Sequence, residues 1–250
     1  MSAELSIRPA GEHVAVVEFS RPPHNHFDAA LIGAIADAYE ELERDGSCRA
    51  IVLCSAGKNF CAGADFAGAN PAEGPLYEQA VRLFAAGLPV VATIQGAAVG
   101  GGLGVALSAD FRVASPESRF SANFARLGIH HGFGVSITLP LVVGQQRALE
   151  LLYTGERLRG EQAHAIGLCD RLVAGDQLRA EAVALAQEIA ISSPLAVRAI
   201  RRTMRGDLAE QIRAATAHEA AEQAKLFTTE DFREGVAAAT ERRPPRFTGR

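Results

Sequence analysis

The chain has 250 residues, a mass of 26.4 kDa and a formal net charge of −4 at pH 7. Its composition, 48% hydrophobic and 22% charged, is that of a globular protein and excludes long disordered segments. The small negative charge gives no reason to expect nucleic acid or an anionic membrane surface as a partner.

The cysteines and the apolar runs restrict the protein class further. The four cysteines contain no C-x-x-C pair, so neither a metal site nor a disulfide framework is expected. Apolar runs are much shorter than the ~20 residues of a membrane-spanning helix. The first ten residues do not have the pattern of a signal peptide. We therefore expect a cytoplasmic protein with reduced thiols, no bound metal and no membrane partner.

Short apolar runs alternate with helical patterns in the first two thirds of the chain. Between the first two runs, Asp28 is placed to cap a helix that ends before Gly46. A second helix is predicted from about Tyr77 to Ala86. This alternation is typical of an α/β fold with parallel strand pairs and right-handed crossovers. Buried strands are predicted over residues 14–19, 50–55, 90–95 and 111–115.

The last third of the chain has a different pattern. Strands become sparse after about residue 140, and residues 176–240 are predicted to be almost entirely helical, with breaks near 192–194 and 205–207. Such helices must bury their apolar faces, and a partner subunit would do so. We expect a core domain at residues 1–190 and a helical oligomerisation region at residues 191–250. The tail at 242–250 is expected to be mobile or to lie across a neighbouring subunit.

A glycine-rich stretch, QGAAVGGGLG at residues 95–104, lies where a predicted strand gives way to a helix. Its spacing fits neither the dinucleotide fingerprint nor the phosphate-binding loop. It indicates either close packing of the helix on the sheet or a helix N-terminus whose N–H groups hold a developing oxyanion. A second strand exit, AGKNFCAGADF at residues 56–66, is also rich in small residues. The N–H groups of the two exits could converge on one carbonyl oxygen.

With these motifs the sequence resembles the crotonase, or enoyl-CoA hydratase/isomerase, superfamily. The resemblance extends over nearly the whole chain, with the motifs in the expected order. It implies a crotonase-like spiral ββα core followed by C-terminal helices that build a homotrimer or a dimer of trimers. The segments that carry it are FCAGADF (60–66), LPVVATIQGAAVGGGLGVALSADFRVAS (88–115), FSANFARLGI (120–129), LLYTGERLRGEQAHAIGLCDRLV (151–173) and FTTEDFREGVAAATERR (227–243).

The resemblance also implies a site. It assigns an oxyanion hole to the backbone N–H groups of Ala64 and Gly101, and a coenzyme A thioester as the ligand, with no separate cofactor. The adenine and phosphate end of the ligand is expected near residues 21–26 and 61–66. The substrate-binding residues expected on this basis are Arg21, His24, His26, Ala62, Asp65, Phe66, Gly104, Phe124, His130 and Phe133.

The sequence departs from the superfamily at the catalytic positions. Hydratases of the superfamily carry two glutamates at the positions that correspond to Gly104 and Phe124, and neither of these residues can transfer a proton. Standard alkene hydration is therefore not expected. His131, in LGIHHGFG at residues 127–134, is the favoured replacement acid or base, because histidine titrates near neutral pH.

The histidine pair leaves two interpretations open. Adjacent residues of an extended loop point in roughly opposite directions, so at most one of His130 and His131 is expected to face the ligand. Alternatively, both histidines have a structural role.

Two functions are compatible with the sequence. The first is an enzyme that processes acyl-CoA thioesters through an enolate or a tetrahedral intermediate, by hydrolysis, decarboxylation or isomerisation. The second is a non-catalytic acyl-CoA binding protein that has kept the fold.

Overall fold

The computed structural model describes residues 4–64 and 75–250, and the structural statements below concern those two ranges. They contain two β-sheets and a series of helices. The strands are β1 (Leu5–Pro9), β2 (Val14–Phe19), β3 (Ala50–Ser55), β4 (Val90–Ile94), β5 (Ala97–Val99), β6 (Phe111–Ala114), β7 (Arg119–Ser121), β8 (Arg157–Arg159) and β9 (Arg171–Leu172). The helices are α1 (Ala29–Asp45), α2 (Leu76–Ala85), α3 (Gly101–Ser108), α4 (Val135–Val143), α5 (Gln145–Thr154), α6 (Gly160–Ala165), α7 (Leu178–Ala190), α8 (Pro194–Arg205), α9 (Leu208–Leu226) and α10 (Glu230–Glu241).

The larger sheet has the strand order β1-β2-β3-β4-β6-β9. Its first pair, β1 with β2, is antiparallel, and the remaining pairs are parallel. Every residue of β3 and of β4 is buried, because helices cover both faces of a parallel sheet. The four strands predicted from continuous apolar runs are therefore confirmed, each to within one residue. Strand β1, at the edge of the sheet, was not predicted.

Helix α1 has the start and the end that the sequence predicts. The Asp28 carboxylate accepts a hydrogen bond from the Leu31 N–H at 2.9 Å and so caps the first turn. Gly46 follows the helix with a φ of 74°, a left-handed conformation that favours glycine. Helix α2 starts one residue earlier and ends one residue earlier than the predicted helix.

The two strand exits lie side by side. Residue 61 forms an isolated parallel bridge with residue 98, and the Val99 N–H donates to the Cys61 carbonyl at 3.1 Å. A Cβ on Gly102 would lie 2.2 Å from that same carbonyl oxygen. Close backbone packing therefore explains one glycine of the 95–104 stretch, and it brings the start of α3 against residues 61–64.

The C-terminal helices follow the predicted boundaries, with breaks at 191–193 and 206–207. Helix α9 packs on α2 through a buried face that contains Ile212, Thr216, Glu219 and Gln223. Helix α8 has no buried residue. It is fixed to the core by ion pairs from Arg201 and Arg205 to Asp110 and from Arg198 to Glu43.

The tail is held by its own chain and is not free, while its contact with a neighbouring subunit stays a prediction. It folds back on α10, where the Asp231 carboxylate accepts hydrogen bonds from the N–H groups of Thr248 at 2.7 Å and Gly249 at 2.9 Å. The Arg246 N–H donates to Glu234 at 2.6 Å. Acidic side chains on the first turns of α10 thus hold a tail that was expected to be mobile or to lie on a neighbour.

Within the two described ranges, no single helix is both long and apolar enough to cross a bilayer. Residues 175–190 and 194–205 meet the length and composition test only as a pair, and that pair is bent by 105°.

Candidate active site

The two strand exits meet at a cavity beside the first turn of α3. The volume of this cavity that is open to a water-sized sphere is about 60 Å³. Ala62, Ala64 and Gly101 line it, as the sequence predicts for a ligand site. The described part of its wall carries no charged side chain. Five aromatic residues contribute to the described part of that wall: Phe27, Tyr77, Phe124, Phe133 and Phe227.

The backbone N–H groups of Ala64 and Gly101 lie close together on this wall. A Cβ built on Gly101 would lie 3.8 Å from the Ala64 nitrogen. The adjacent N–H groups are engaged, since Ala62 donates to the His24 carbonyl at 3.1 Å and Gly100 to the Ser121 carbonyl at 2.9 Å. Among the hydrogen bonds between described residues, neither the Ala64 nor the Gly101 N–H has an acceptor. Two unpaired donors in a largely apolar cavity can bind a negatively charged oxygen.

Gly101 is also the first residue of α3. The first N–H groups of a helix have no acceptor within the helix, and the positive end of the helix dipole lies there. Both effects favour negative charge next to Gly101.

The Phe133 side chain fills the space into which a side chain at position 104 would point. A Cβ on Gly104 would lie 2.7 to 3.0 Å from three atoms of the Phe133 side chain. Phe133 itself is 1% exposed and has a φ of 65°, which is rare for a bulky residue. Phe124 is buried and lines the cavity with its ring. Neither position therefore presents a group that titrates.

The two histidines of the 127–134 segment do not point in opposite directions, and that expectation is wrong. Their rings are stacked, with centroids 4.0 Å apart and an angle of 27° between the planes. The segment is an irregular loop rather than an extended strand, and the His130 Nδ1 atom bonds the His131 carbonyl at 2.8 Å. Neither ring is among the described residues that line the cavity. His131 packs edge-on against Phe124, with ring centroids 6.2 Å apart.

The surroundings of His131 favour its neutral form. Burial of the ring, with added repulsion from His130 and His218, lowers the pKa of His131 to about 4 from the ordinary 6.5. At pH 7 the ring is therefore neutral and can accept a proton.

The pKa of His131 predicts a pH-dependent stability. Between pH 6.5 and pH 4 the unfolded state binds a proton that the folded state rejects, so this residue destabilises the fold as the pH falls through that window. Between pH 7 and pH 4.5 this residue should lower the free energy of unfolding of the parent chain by on the order of 2 kcal/mol. The variant His131→Gln should not show this part of the decrease. Urea unfolding at pH 7 and pH 4.5 measures this, and equal losses in the variant and the parent chain would contradict it.

The residues expected at the adenine and phosphate end have other partners. Arg21 forms ion pairs with Glu4 at 2.7 Å and Asp28 at 3.0 Å, which raise its pKa. The His24 Nδ1 atom lies 3.1 Å from the Asn59 side-chain nitrogen. The ring of His26 lies edge-on to that of His24. Asp65 and Phe66 lie outside the described residues.

Three polar residues of the cavity were not predicted. The Tyr77 hydroxyl donates to the Gln223 side-chain oxygen at 2.6 Å, and the Gln223 amide donates to the His130 carbonyl at 2.9 Å. Burial is the main reason why the pKa of Tyr77 is raised, so its hydroxyl stays protonated. On another part of the wall, the Asn123 side-chain oxygen is buried without a hydrogen-bond partner among the described residues. Tyr77 and Gln223 are 146 positions apart in the chain, and no local pattern links them.

Across the described ranges, no three His, Cys, Asp or Glu side chains are grouped so as to hold a metal ion. The four cysteines are free and buried.

Comparison with known proteins relates nearly the whole chain to one protein family. Residues 10–250 match the family model for enoyl-CoA hydratase/isomerase. A Rhodobacter capsulatus protein named "Probable enoyl-CoA hydratase" is 34% identical over 249 residues, which cover 96% of each chain. A Mycobacterium tuberculosis protein, "Probable enoyl-CoA hydratase EchA14", is also 34% identical, over 92% of this chain and 95% of the relative.

Solved structures agree with the sequence relatives. An enoyl-CoA hydratase/isomerase from Pseudoalteromonas atlantica superimposes with a TM-score of 0.87 at 30% identity, over 98% of this chain and 100% of that one. EchA1_1 from Mycobacterium paratuberculosis gives a TM-score of 0.88 at 29% identity, over the full length of both chains. The fold is therefore the α/β crotonase fold with C-terminal helices, as the sequence predicts, and the chain belongs to the enoyl-CoA hydratase/isomerase family.

Proposed function

We propose that this chain is an enzyme that processes acyl-CoA thioesters and stabilises an enolate or a tetrahedral oxyanion with the N–H groups of Ala64 and Gly101. The observation that carries the proposal is the pair of N–H groups on one wall of the cavity that have no acceptor among the described residues. A donor of this kind contributes about 3 kcal/mol to transition-state stability. Membership of the enoyl-CoA hydratase/isomerase family supports a coenzyme A thioester as the ligand.

We further propose that the reaction is not the standard hydration. Gly104 and Phe124 occupy the positions that correspond to the hydratase glutamates, and the Phe133 ring fills the space in front of Gly104. Hydrolysis, decarboxylation and isomerisation remain compatible with an oxyanion hole. In each of them, His131 or a bound water would take the part of the missing carboxylates. The low pKa keeps the His131 ring neutral at pH 7 but makes it a weak base, since a catalytic base is most effective with a pKa near the working pH.

A panel of coenzyme A esters tests the function. The purified protein is incubated with crotonyl-CoA, saturated acyl-CoA, malonyl-type CoA and aromatic acyl-CoA esters, binding is followed by thermal shift, and products are identified by mass spectrometry. We expect turnover of at least one ester and negligible hydration of crotonyl-CoA. Crotonyl-CoA turnover in the ordinary enzyme range of ~1–10³ per second would contradict the proposed role of Gly104 and Phe124.

The same panel separates the enzyme from the alternative, a non-catalytic acyl-CoA binding protein. That alternative is favoured by the uncharged cavity wall in the described residues. Binding of several esters with no new product would support it, whereas any new product would exclude it.

We propose that the chain assembles as a homotrimer or a dimer of trimers. Helix α8 exposes apolar side chains that no described residue covers: Leu195 is 79%, Ile200 63% and Met204 81% exposed. Ile200 and Met204 are four residues apart and therefore share one face of the helix, and an exposed apolar face of this kind is typical of a subunit interface. Light scattering should give a mass of about three or six times 26.4 kDa, and a mass of one chain would refute the assembly.

A further inference from the structure

Phe133 lines the cavity next to the proposed oxyanion hole. Gly101 and Gly104 are three residues apart in α3 and therefore lie on neighbouring parts of one helix face. The Phe27 ring lies 2.6 Å from the Cβ position of Gly101, and the Phe133 side chain 2.7 Å from that of Gly104. The two rings meet edge-on, with centroids 5.3 Å apart. Together they form the wall along this face of α3.

Behind Phe133 lies the protein core. The Phe84 ring of α2 is 6.4 Å from the Phe133 ring, centroid to centroid, and it is buried without lining the cavity. The Phe133 ring thus lies between the cavity and the Phe84 ring. Removing this ring would enlarge the cavity by the volume that the ring vacates.

The position of Phe133 is fixed from both sides. On one side, the Glu219 carboxylate of α9 accepts a hydrogen bond from the Gly134 N–H at 2.8 Å. On the other side, Gly132 packs so closely on Tyr77 that a Cβ there would lie 2.2 Å from the tyrosine oxygen. A ring held in this way cannot move aside at low cost, because the backbone on both sides of it is anchored.

We propose that Phe133 is a specificity-determining residue that restricts this cavity to short acyl chains. The inference rests on the proposed function, since it takes a coenzyme A thioester as the ligand. A space of about 60 Å³ for a water-sized sphere accommodates only a few carbon atoms beyond the thioester carbonyl. Chain atoms beyond that number meet the Phe133 ring.

A length series on the unmodified protein is the first test. Dissociation constants are measured by isothermal titration calorimetry for acetyl-, butyryl-, hexanoyl- and octanoyl-CoA, with free coenzyme A as the reference. Each methylene that enters the cavity should tighten binding by about fourfold, the equivalent of ~0.8 kcal/mol. We expect this gain up to butyryl-CoA and none beyond it. A gain that continues to octanoyl-CoA would overturn the proposal.

The variant Phe133→Ala is the second test. It should tighten binding of octanoyl-CoA by at least about tenfold and change binding of acetyl-CoA by less than about threefold, because only the longer chain reaches the vacated space. Phe120→Ala is the matched control, because Phe120 is equally buried but lies in β7, away from the cavity. An unchanged length profile in Phe133→Ala, or the same shift in Phe120→Ala, would overturn the proposal.

If thermal melting shows that an alanine variant is unfolded, Phe133→Leu and Phe120→Leu are compared instead, with a smaller shift expected only in the first. If neither free coenzyme A nor any thioester binds the unmodified protein, the proposed function fails and the length restriction fails with it. If the thioesters bind without a length limit, only the inference about Phe133 fails.

Discussion

Replacing Gly101 with proline should abolish thioester turnover by this chain. Proline has no N–H, so one of the two donors proposed for the oxyanion is lost, and the loss of one such donor lowers kcat by about 10²–10³. Gly101 is the first residue of α3, a position where proline is compatible with a helix because its N–H has no acceptor within the helix. The measurement is kcat for whichever ester the panel shows to be turned over.

The matched control for this prediction is Gly101→Ala. A Cβ at residue 101 would lie 2.6 Å from the Phe27 ring, so both substitutions introduce this Cβ contact, but alanine keeps the N–H. We expect the alanine variant to retain at least ten times the kcat of the proline variant, since only the latter loses the donor. Full activity of Gly101→Pro would exclude this N–H as a catalytic donor.

Most of the larger sheet could be predicted from the sequence, for a physical reason. Strands such as β3 and β4 are covered on both faces, so they appear as continuous apolar runs that are bounded by turn residues. Helix α1 carries its own start signal in Asp28 and its own end signal in Gly46. Strand β1 is different, because it lies at the sheet edge and part of its length is exposed. The three-residue strands β5, β7 and β8 exist only through pairing with distant segments.

The cavity could be predicted only in part. The small residues of the two strand exits are a local signal, and they indicate the two segments that contain Ala64 and Gly101 as parts of a site. Tyr77 and Gln223 give no such signal, because they meet only when α9 packs on α2. The stacking of His130 on His131 depends on a loop conformation that alternation rules for extended chains do not describe.

The substitution Glu219→Leu should destabilise the fold by about 2–6 kcal/mol, because it leaves two buried backbone N–H groups without an acceptor. Glu219 is fully buried on α9, and its carboxylate accepts hydrogen bonds from the Gly134 N–H at 2.8 Å, from the Ser136 N–H at 3.1 Å and from the Ser136 hydroxyl. These donors stand at the start of α4, where a negative charge also interacts favourably with the helix dipole. No basic side chain of the described residues pairs with this carboxylate.

A leucine at position 219 cannot compensate for the lost acceptor. Buried ion pairs are sometimes replaced by apolar side chains at no net cost, because both charged partners are removed together. Here two of the three donors are backbone N–H groups, which no side-chain substitution removes, and each unsatisfied buried group costs about 1–3 kcal/mol. Glu219→Gln should fall between the parent chain and the leucine variant, because the amide keeps one acceptor but turns its NH2 group towards a donor.

Urea unfolding at pH 7 and a fixed protein concentration measures these differences, since the proposed subunit assembly would make the apparent stability depend on concentration. The matched control is Glu222→Leu on the same helix. Glu222 forms an exposed ion pair with Lys225, of a kind that contributes less than about 1 kcal/mol. A loss below about 1 kcal/mol in Glu219→Leu, or equal losses in the two leucine variants, would show that the carboxylate does not hold the 134–136 segment.

Phe133 directly precedes that segment. A destabilised but folded Glu219→Gln variant should therefore also relax the proposed acyl-length limit, which connects the stability of this loop to the shape of the cavity.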